Sequence, residues 1–374
     1  MPPKPAPDAG ITLEDLGLRP VINASATLTK LGGSVMPPEV VAAMHQGAQA
    51  FVDWPELQRA VGRKIAELTG NEAAYISSGA AAGITAAVAA VMAGTDPVKI
   101  AAFPGLDGIE KTELLVYRSQ RNGYDYAARM TGATFVELDD TIESLEAGFS
   151  DRTAAVLWFA GKLAEASPPL DKVIEVAHAR GVPVIVDAAA QVPNIANLWH
   201  FTKNLGADLA IFSGGKGLRG PQSSGLVLGR ADLIEGCIAN GSPNSTIGRP
   251  MKVGKEELFG ILAAVQWSLA QDEDALLERY EQTVQTWISG LSELPGVSVE
   301  RGFPSEAGQP MARALVSIGP DAALTATALT EALWEQNPRI AVSQVDDSTI
   351  ALNPQTLADG EDVTVAEAIR DLLG

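Results

Sequence analysis

Between residues 114 and 228 six short runs of β-branched and aromatic residues are separated by longer stretches, and this alternation restricts the fold more than any other feature. The runs are Leu114 to Arg118 (LLVYR), Thr134 to Leu138 (TFVEL), Ala154 to Phe159 (AAVLWF), Pro183 to Asp187 (PVIVD), Asp208 to Ser213 (DLAIFS) and Gly225 to Leu228 (GLVL). Most are nearly continuous in hydrophobicity, the pattern of strands buried on both faces of a largely parallel sheet. Between two of them, Leu170 to Ala179 (LDKVIEVAHA) has helical spacing and stops at Gly181 and Pro183, which places His178 inside a helix as a structural residue. The alternation predicts an α/β protein.

The chain has 374 residues, 46% of them apolar, enough for more than one compact domain. The Pro-rich start MPPKPAPDAG predicts a disordered tail over 1–10. It has neither the basic nor the apolar region of a signal peptide, and no run is long enough to span a membrane, so a cytoplasmic protein is expected. Residues 11–55, with the extended VINASAT stretch and a helix from near Pro38, are expected to pack on a small domain. Residues 56–255 should form the large domain and 256–374 the small one. A long helical segment over Glu256 to Gly290 would lead into that small domain. There Ala314 to Ile318 and Ile350 to Leu352 read as strands, and Ala322 to Trp334 and Val363 to Leu373 as helices. Cys237 is the single cysteine and the three histidines (His45, His178, His200) are scattered, so neither a disulfide nor a metal site is expected. With 27 Lys and Arg against 46 Asp and Glu, a net charge of −19, the chain would repel phosphate backbones, and no nucleic-acid partner is expected.

Three segments carry chemistry. Ser77 to Gly83 (SSGAAAG) joins a strand-like AAYI to a small-residue helix, and free amides at such a start can cradle a phosphate; close packing alone would also explain the small residues. Asp187 ends an aliphatic strand at the sheet edge where open α/β folds bind ligands, although an acid there also serves as a helix cap. Lys216 lies in DLAIFSGGKGLRG, between glycines just past a strand. Desolvation there would lower its pKa towards the range in which a lysine amine is nucleophilic, and Ser213 three residues earlier could bind a phosphate. Gly215, Gly217 and Gly220 spell a formal GxGxxG. Pro221 and another strand follow it, whereas a dinucleotide fingerprint must open a helix.

The order of phosphate loop, acid and lysine resembles the fold type I enzymes of pyridoxal 5′-phosphate (PLP), the aspartate aminotransferase superfamily. Within it the chain is similar to the selenocysteine-synthase-like branch that includes D-glucosaminate-6-phosphate ammonia-lyases. The narrower likeness rests on GLRPVINASATLTKLGGSVMPPEV, SSGAAAG, QRNGYD, VDAAAQ, SGGKGLRGPQSSG, IGRPMKVGKEE and LNPQTLADGE, which together span nearly the whole chain. The resemblance implies a three-layer large domain with a mostly parallel seven-stranded sheet, and a smaller α+β domain formed by the C-terminal part and the N-terminal segment. It implies that Lys216 holds PLP as a Schiff base and shuttles the substrate α-proton, and that Asp187 keeps the pyridine nitrogen protonated. Ser78, Gly79 and Ala80, helped by Ser213, would bind the phosphate. The implied assembly is a homodimer or larger homo-oligomer with sites at the subunit boundary, which Arg249 would reach from the neighbouring chain. For the substrate carboxylate the candidates are Arg313 and then Arg339, with Asn23, Ser25 and Thr27 also lining the pocket.

Two departures from the family pattern stand out. Where many relatives stack a ring on the cofactor, Arg118 to Asn122 offers none, leaving Gln120 or Arg121 to cover that face. The chain is also strongly acidic and shows no evident extra N-terminal RNA-binding domain, whereas a selenocysteine synthase must grip a transfer RNA. The implied activity is α-proton abstraction from a small amino acid or amino sugar acid, with β-elimination of the ammonia-lyase or dehydratase type favoured. Racemisation, aldol cleavage and transamination use the same scaffold, and a selenium transferase or a non-catalytic PLP-binding protein are the remaining alternatives. An unphosphorylated substrate is favoured, because no second basic cluster is evident.

Overall fold

The structure, a computed structural model, describes residues 10–374; the tail expected over 1–10 lies outside them but for Gly10. The chain divides into two compact units. The larger takes Leu28–Glu273 together with Glu306–Gln309, and the smaller takes the residues up to Thr27, Asp274–Ser305 and Pro310–Gly374.

The larger unit is built on a seven-stranded sheet in the order Ala73–Ser77, Gly225–Gly229, Leu209–Ser213, Val184–Asp187, Thr153–Phe159, Glu113–Tyr117 and Thr134–Leu138. Gly225–Gly229 runs antiparallel to both its neighbours and every other pairing is parallel, so the sheet is mostly parallel as expected. All six runs read from the sequence are strands, with ends moved by at most one residue. Successive side chains point to opposite faces, which sorts one strand between two cores. Val184, Val186, Ala210, Phe212, Val156 and Trp158 join one cluster with helices Trp54–Thr69, Leu170–His178 and Lys255–Leu269. Ile185, Leu209, Ile211, Ala155 and Leu157 join the other with helices Ala80–Ala93 and Ala231–Asn240. Burial on both faces is the reason these strands show no polar alternation. The expected structural role of His178 is filled by a 2.8 Å hydrogen bond between its Nε2 and the buried Asp208.

Two boundaries differ from expectation. The helical stretch over 256–290 is two helices, Lys255–Leu269 and Glu273–Leu291, and the first belongs to the larger unit. It packs against helix Pro38–Ala48, which the sequence assigned to the small domain. Small residues allow that approach: a Cβ on Gly260 would lie 2.7 Å from Met44 and one on Gly47 3.1 Å from the Lys255 carbonyl. Two helices that can come this close bury more apolar surface together than either would alone.

In the smaller unit Ser343–Gln344, Thr349–Leu352, Arg313–Ile318 and Val297–Gly302 form an antiparallel sheet in that order. Val21–Asn23 pairs in parallel with Arg339–Ala341. Helices Ala326–Trp334 and Glu361–Leu373 contribute to a core around the fully buried Trp287, whose Nε1 donates to the Asp362 carbonyl at 3.0 Å. Among the described residues no helix is long and apolar enough to cross a membrane.

Candidate active site

Four adjacent strands, three ending and one beginning, bring the expected residues to one edge of the large sheet. Ser77 pairs with Gly225 and Gly225 with Ser213, forming a row across the sheet. On the next strand Asp187 pairs with Ile211, two residues before Ser213, and with Phe159 on its other side. Asp187, Ile211 and Ser213 share parity, so they face the side covered by helix Ala80–Ala93.

The Ser78–Ala80 loop is shaped by close approach. Ser77 Oγ donates to the Gly79 carbonyl at 2.8 Å, and Gly79 adopts φ of 101°, a conformation open to glycine and strained for other residues. A Cβ on Gly225 would lie 2.6 Å from the Gly79 carbonyl carbon and 2.8 Å from the Ala80 nitrogen, so the loop can rest on the sheet only because residue 225 has no side chain. No side chain caps the helix that follows, which leaves its first-turn amides for a ligand. This cradle fits a phosphate.

The lysine turn is closed by its own backbone and by a distant residue. Gly214 N–H donates to Ser224 O at 2.8 Å, Gly220 N–H to Gly214 O at 2.7 Å and Arg219 N–H to Lys216 O at 2.9 Å. Ser34, which no local motif singles out, donates its hydroxyl to the carbonyls of Gly215 (3.1 Å) and Lys216 (2.9 Å). Gly217 must be glycine, since a Cβ there would sit 2.0 Å from the Val192 carbonyl oxygen. After Gly220 the chain enters strand Gly225–Gly229 and opens no helix, which disposes of the GxGxxG reading.

Burial tunes the two ionisable groups. Asp187 is pushed above the usual carboxylate range by burial, against the opposing pull of the Ala189 N–H, 2.9 Å from its Oδ1, and of the Lys216 charge. Lys216 is pushed below the usual lysine range by burial, opposed by the charges of Asp187 and Glu306. Both shifts favour the neutral forms. For Lys216 that is the nucleophilic amine a carbonyl compound requires.

Other expected residues have different places. Gln120 is fully buried: its Oε1 accepts the Phe159 N–H at 2.9 Å and its Nε2 donates to Ser167 Oγ at 2.9 Å. It braces the strand beside Asp187 and presents no exposed surface that could cover a cofactor face. Arg121 points elsewhere too, pairing with Asp125 at 2.5 Å and with Glu137, and lying over the Phe135 ring. Arg249 is exposed on the loop after helix Ala231–Asn240. Arg313, Arg339, Asn23, Ser25 and Thr27 belong to the smaller unit. Arg313 and Arg339 each begin a strand and are half-buried, the latter with its guanidinium 4.6 Å from the centre of the Trp334 ring. Asn23 holds a turn, donating to Ala26 O at 2.8 Å and accepting from Ser25 N at 3.0 Å. Ser25 Oγ is 2.5 Å from Ser343 Oγ, and Thr27 is buried.

The pattern of the Aminotransferase class-V family matches residues 137–332, more than half of the chain and the part that carries Asp187 and Lys216. The chain belongs to this family. It is 33% identical over 376 residues to a 5′-C-glycyluridine monooxygenase-decarboxylase from a Streptomyces species, covering 96% of this chain and 91% of that one. A D-glucosaminate-6-phosphate ammonia lyase of Salmonella typhimurium is 31% identical over 374 residues, with coverage of 96% and 97%. The solved structure of a D-glucosaminate-6-phosphate ammonia-lyase superposes with a TM-score of 0.83 at 30% identity, covering 96% of this chain and 97% of that one. This member of the Aminotransferase class-V family is a PLP-dependent enzyme with the type I fold.

Proposed function

We propose that this enzyme is a PLP-dependent lyase that eliminates a β-substituent from a small amino acid or amino sugar acid. The observation that carries the reading is the meeting, at one sheet edge, of a buried acid, a lysine held towards its neutral form and a side-chain-free phosphate cradle. PLP attached at Lys216 would supply an electron sink for the pair left when the substrate α-proton departs. Asp187 would pair as a carboxylate with the ring nitrogen and keep a proton there, the positive ring offsetting the burial that otherwise disfavours its charge. The amides of Ser78, Gly79 and Ala80, with the Ser213 hydroxyl, would hold the phosphate. Lys216 Nζ would take the α-proton and return it to the departing β-group.

For the substrate carboxylate we assign Arg313 or Arg339, with Asn23 and Thr27 beside them, and Arg249 as a residue contributed to the site of a neighbouring subunit. The assembly is then a homodimer or a larger homo-oligomer, working in the cytoplasm without a nucleic-acid partner. The relatives include an ammonia lyase and a monooxygenase-decarboxylase, and this chain can be tested for both kinds of activity.

The test pairs a panel of D- and L-amino acids and amino sugar acids, phosphorylated and not, with assays for ammonia, keto acid, inverted substrate and oxygen uptake. Ammonia and keto acid released together without oxygen uptake support the lyase. Rapid inversion without ammonia, or oxygen uptake with carbon dioxide release, replaces it. Borohydride reduction of the coloured protein is expected to fix a pyridoxyl group on the peptide containing Lys216, and a label elsewhere overturns the site assignment.

A further inference from the structure

Four residues from late in the sequence, Glu306–Gln309, belong to the larger unit, although the chain on either side of them belongs to the smaller one. This finger is fastened at several points. Gln191 Nε2 donates to Ala307 O at 2.9 Å, and Gln309 Nε2 donates to Val192 O at 3.2 Å. A Cβ on Gly161 would lie 2.2 Å from Ala307 O, and one on Gly308 2.9 Å from Lys162 N, so the two backbones touch directly. The anchors are themselves part of the site. Gln191 follows Asp187 by four residues, and the Val192 carbonyl is the atom against which Gly217 packs beside Lys216. The finger is thereby held next to the lysine turn, with the Glu306 charge close enough to bear on Nζ.

We propose that Glu306 is a positioning residue for catalysis, the carboxylate that steadies Lys216 as an ammonium while the lysine carries the substrate proton. The inference rests on the reading of Lys216 as the PLP lysine. In the step concerned the substrate Cα–H bond breaks and an N–H bond forms at Nζ. The electron pair stays with the substrate and cofactor, and Glu306 neither gains nor loses an atom. Asp187 cannot serve both ends, because its charge is directed at the ring nitrogen in the proposed arrangement. Burial works against the ammonium, so a second carboxylate nearby is what lets one lysine be neutral before the step and charged after it. With an effective dielectric constant of about 20, a carboxylate roughly 12 Å away alters such a protonation equilibrium by about tenfold, and solvent screening reduces that figure.

The test uses the whole 374-residue chain. Wild type, Glu306→Gln and Gln191→Leu are acylated with acetic anhydride over a range of pH before PLP is added, and the Lys216 peptide is quantified by mass spectrometry against surface lysines of the same molecule. Removing the negative charge makes the ammonium easier to deprotonate. Acylation of Lys216 in Glu306→Gln is therefore expected to rise about three- to tenfold on the ascending limb, which moves to lower pH. Gln191→Leu frees the finger without changing a charge and is expected to move the limb the same way by less. After PLP loading, the pH profile of kcat is expected to follow the acylation limb. An unmoved limb in Glu306→Gln overturns the proposal, and if that variant does not fold, an unmoved limb in Gln191→Leu does so. A pyridoxyl label on another residue would instead remove the Lys216 reading, which the borohydride experiment detects separately.

Discussion

Replacing Gly225 with alanine tests the phosphate cradle without altering any group proposed to touch the cofactor. The new Cβ would meet the Gly79 carbonyl carbon at 2.6 Å, its oxygen at 2.8 Å and the Ala80 nitrogen at 2.8 Å, all of them backbone atoms that no rotamer change can move. Restoring an ordinary 3.4 Å contact requires the loop to withdraw by about 0.8 Å, the difference between 3.4 and 2.6 Å. Overpacking of this size costs about 1–3 kcal/mol in a packed interior. Hydrogen bonds from the amides to a charged phosphate, each worth about 1.5–3 kcal/mol, are lengthened by the same movement. Losing the larger part of one such bond weakens PLP binding roughly tenfold to a hundredfold. The assay is a titration of both PLP and pyridoxal, which lacks the phosphate, into wild type and Gly225→Ala, with thermal unfolding recorded alongside. PLP affinity is expected to fall and pyridoxal affinity to stay within about twofold. Equal losses for the two ligands, or an unchanged PLP affinity in a folded variant, would refute the assignment of the Ser78–Ala80 loop to the phosphate.

Asp187→Asn keeps an acceptor for the Ala189 N–H but cannot hold a proton on the ring nitrogen, so turnover is expected to fall at least about a hundredfold while PLP remains bound; near-wild-type kcat removes Asp187 from that role. Burial lowers the Lys216 pKa, so the neutral amine is present at lower pH than for an ordinary lysine. The rate at which the protein captures PLP should accordingly reach its plateau at lower pH than capture by a free lysine side chain, and stopped-flow absorbance would expose the reverse order. Gln120→Leu leaves the buried Phe159 N–H without its partner, while the Ser167 hydroxyl keeps Ser119 and Asp140, and is expected to cost about 1–3 kcal/mol in denaturant unfolding. Because Gln120 braces the strand and does not cover the cofactor, the PLP affinity of that variant should change less than threefold at a temperature where it is folded.

The parts of the site legible in the sequence are those whose chemistry and position lie within one strand and its following turn. Asp187 and Lys216 each sit just past a continuous apolar run, and the strand order places those two ends on neighbouring strands. Ser34 and the Glu306–Gln309 finger have no comparable signal. Ser34 lies in a small-residue stretch and acts on carbonyls 181 and 182 positions away, while the finger interrupts the smaller unit's own sequence. Gln120 shows the opposite failure. The absence of a ring between Arg118 and Asn122 was legible, but its amide is used by the Phe159 backbone, a bond between residues 39 apart that a linear pattern does not show.

By itself the sequence determined the α/β class and the strands of the large sheet, and it put Asp187 and Lys216 at the ends of two of them. Each follows from local rules: unbroken hydrophobicity marks a strand buried on both faces, and a polar residue at its end faces the ligand edge. Tertiary structure decided the rest. It set where helix Pro38–Ala48 belongs, which glycines allow the close approaches at residues 217 and 225, and that the Glu306–Gln309 finger from a distant part of the chain joins the larger unit at Gln191 and Val192. Those outcomes depend on which backbones come within van der Waals contact, and long-range packing fixes that whatever the spacing of residues along the chain.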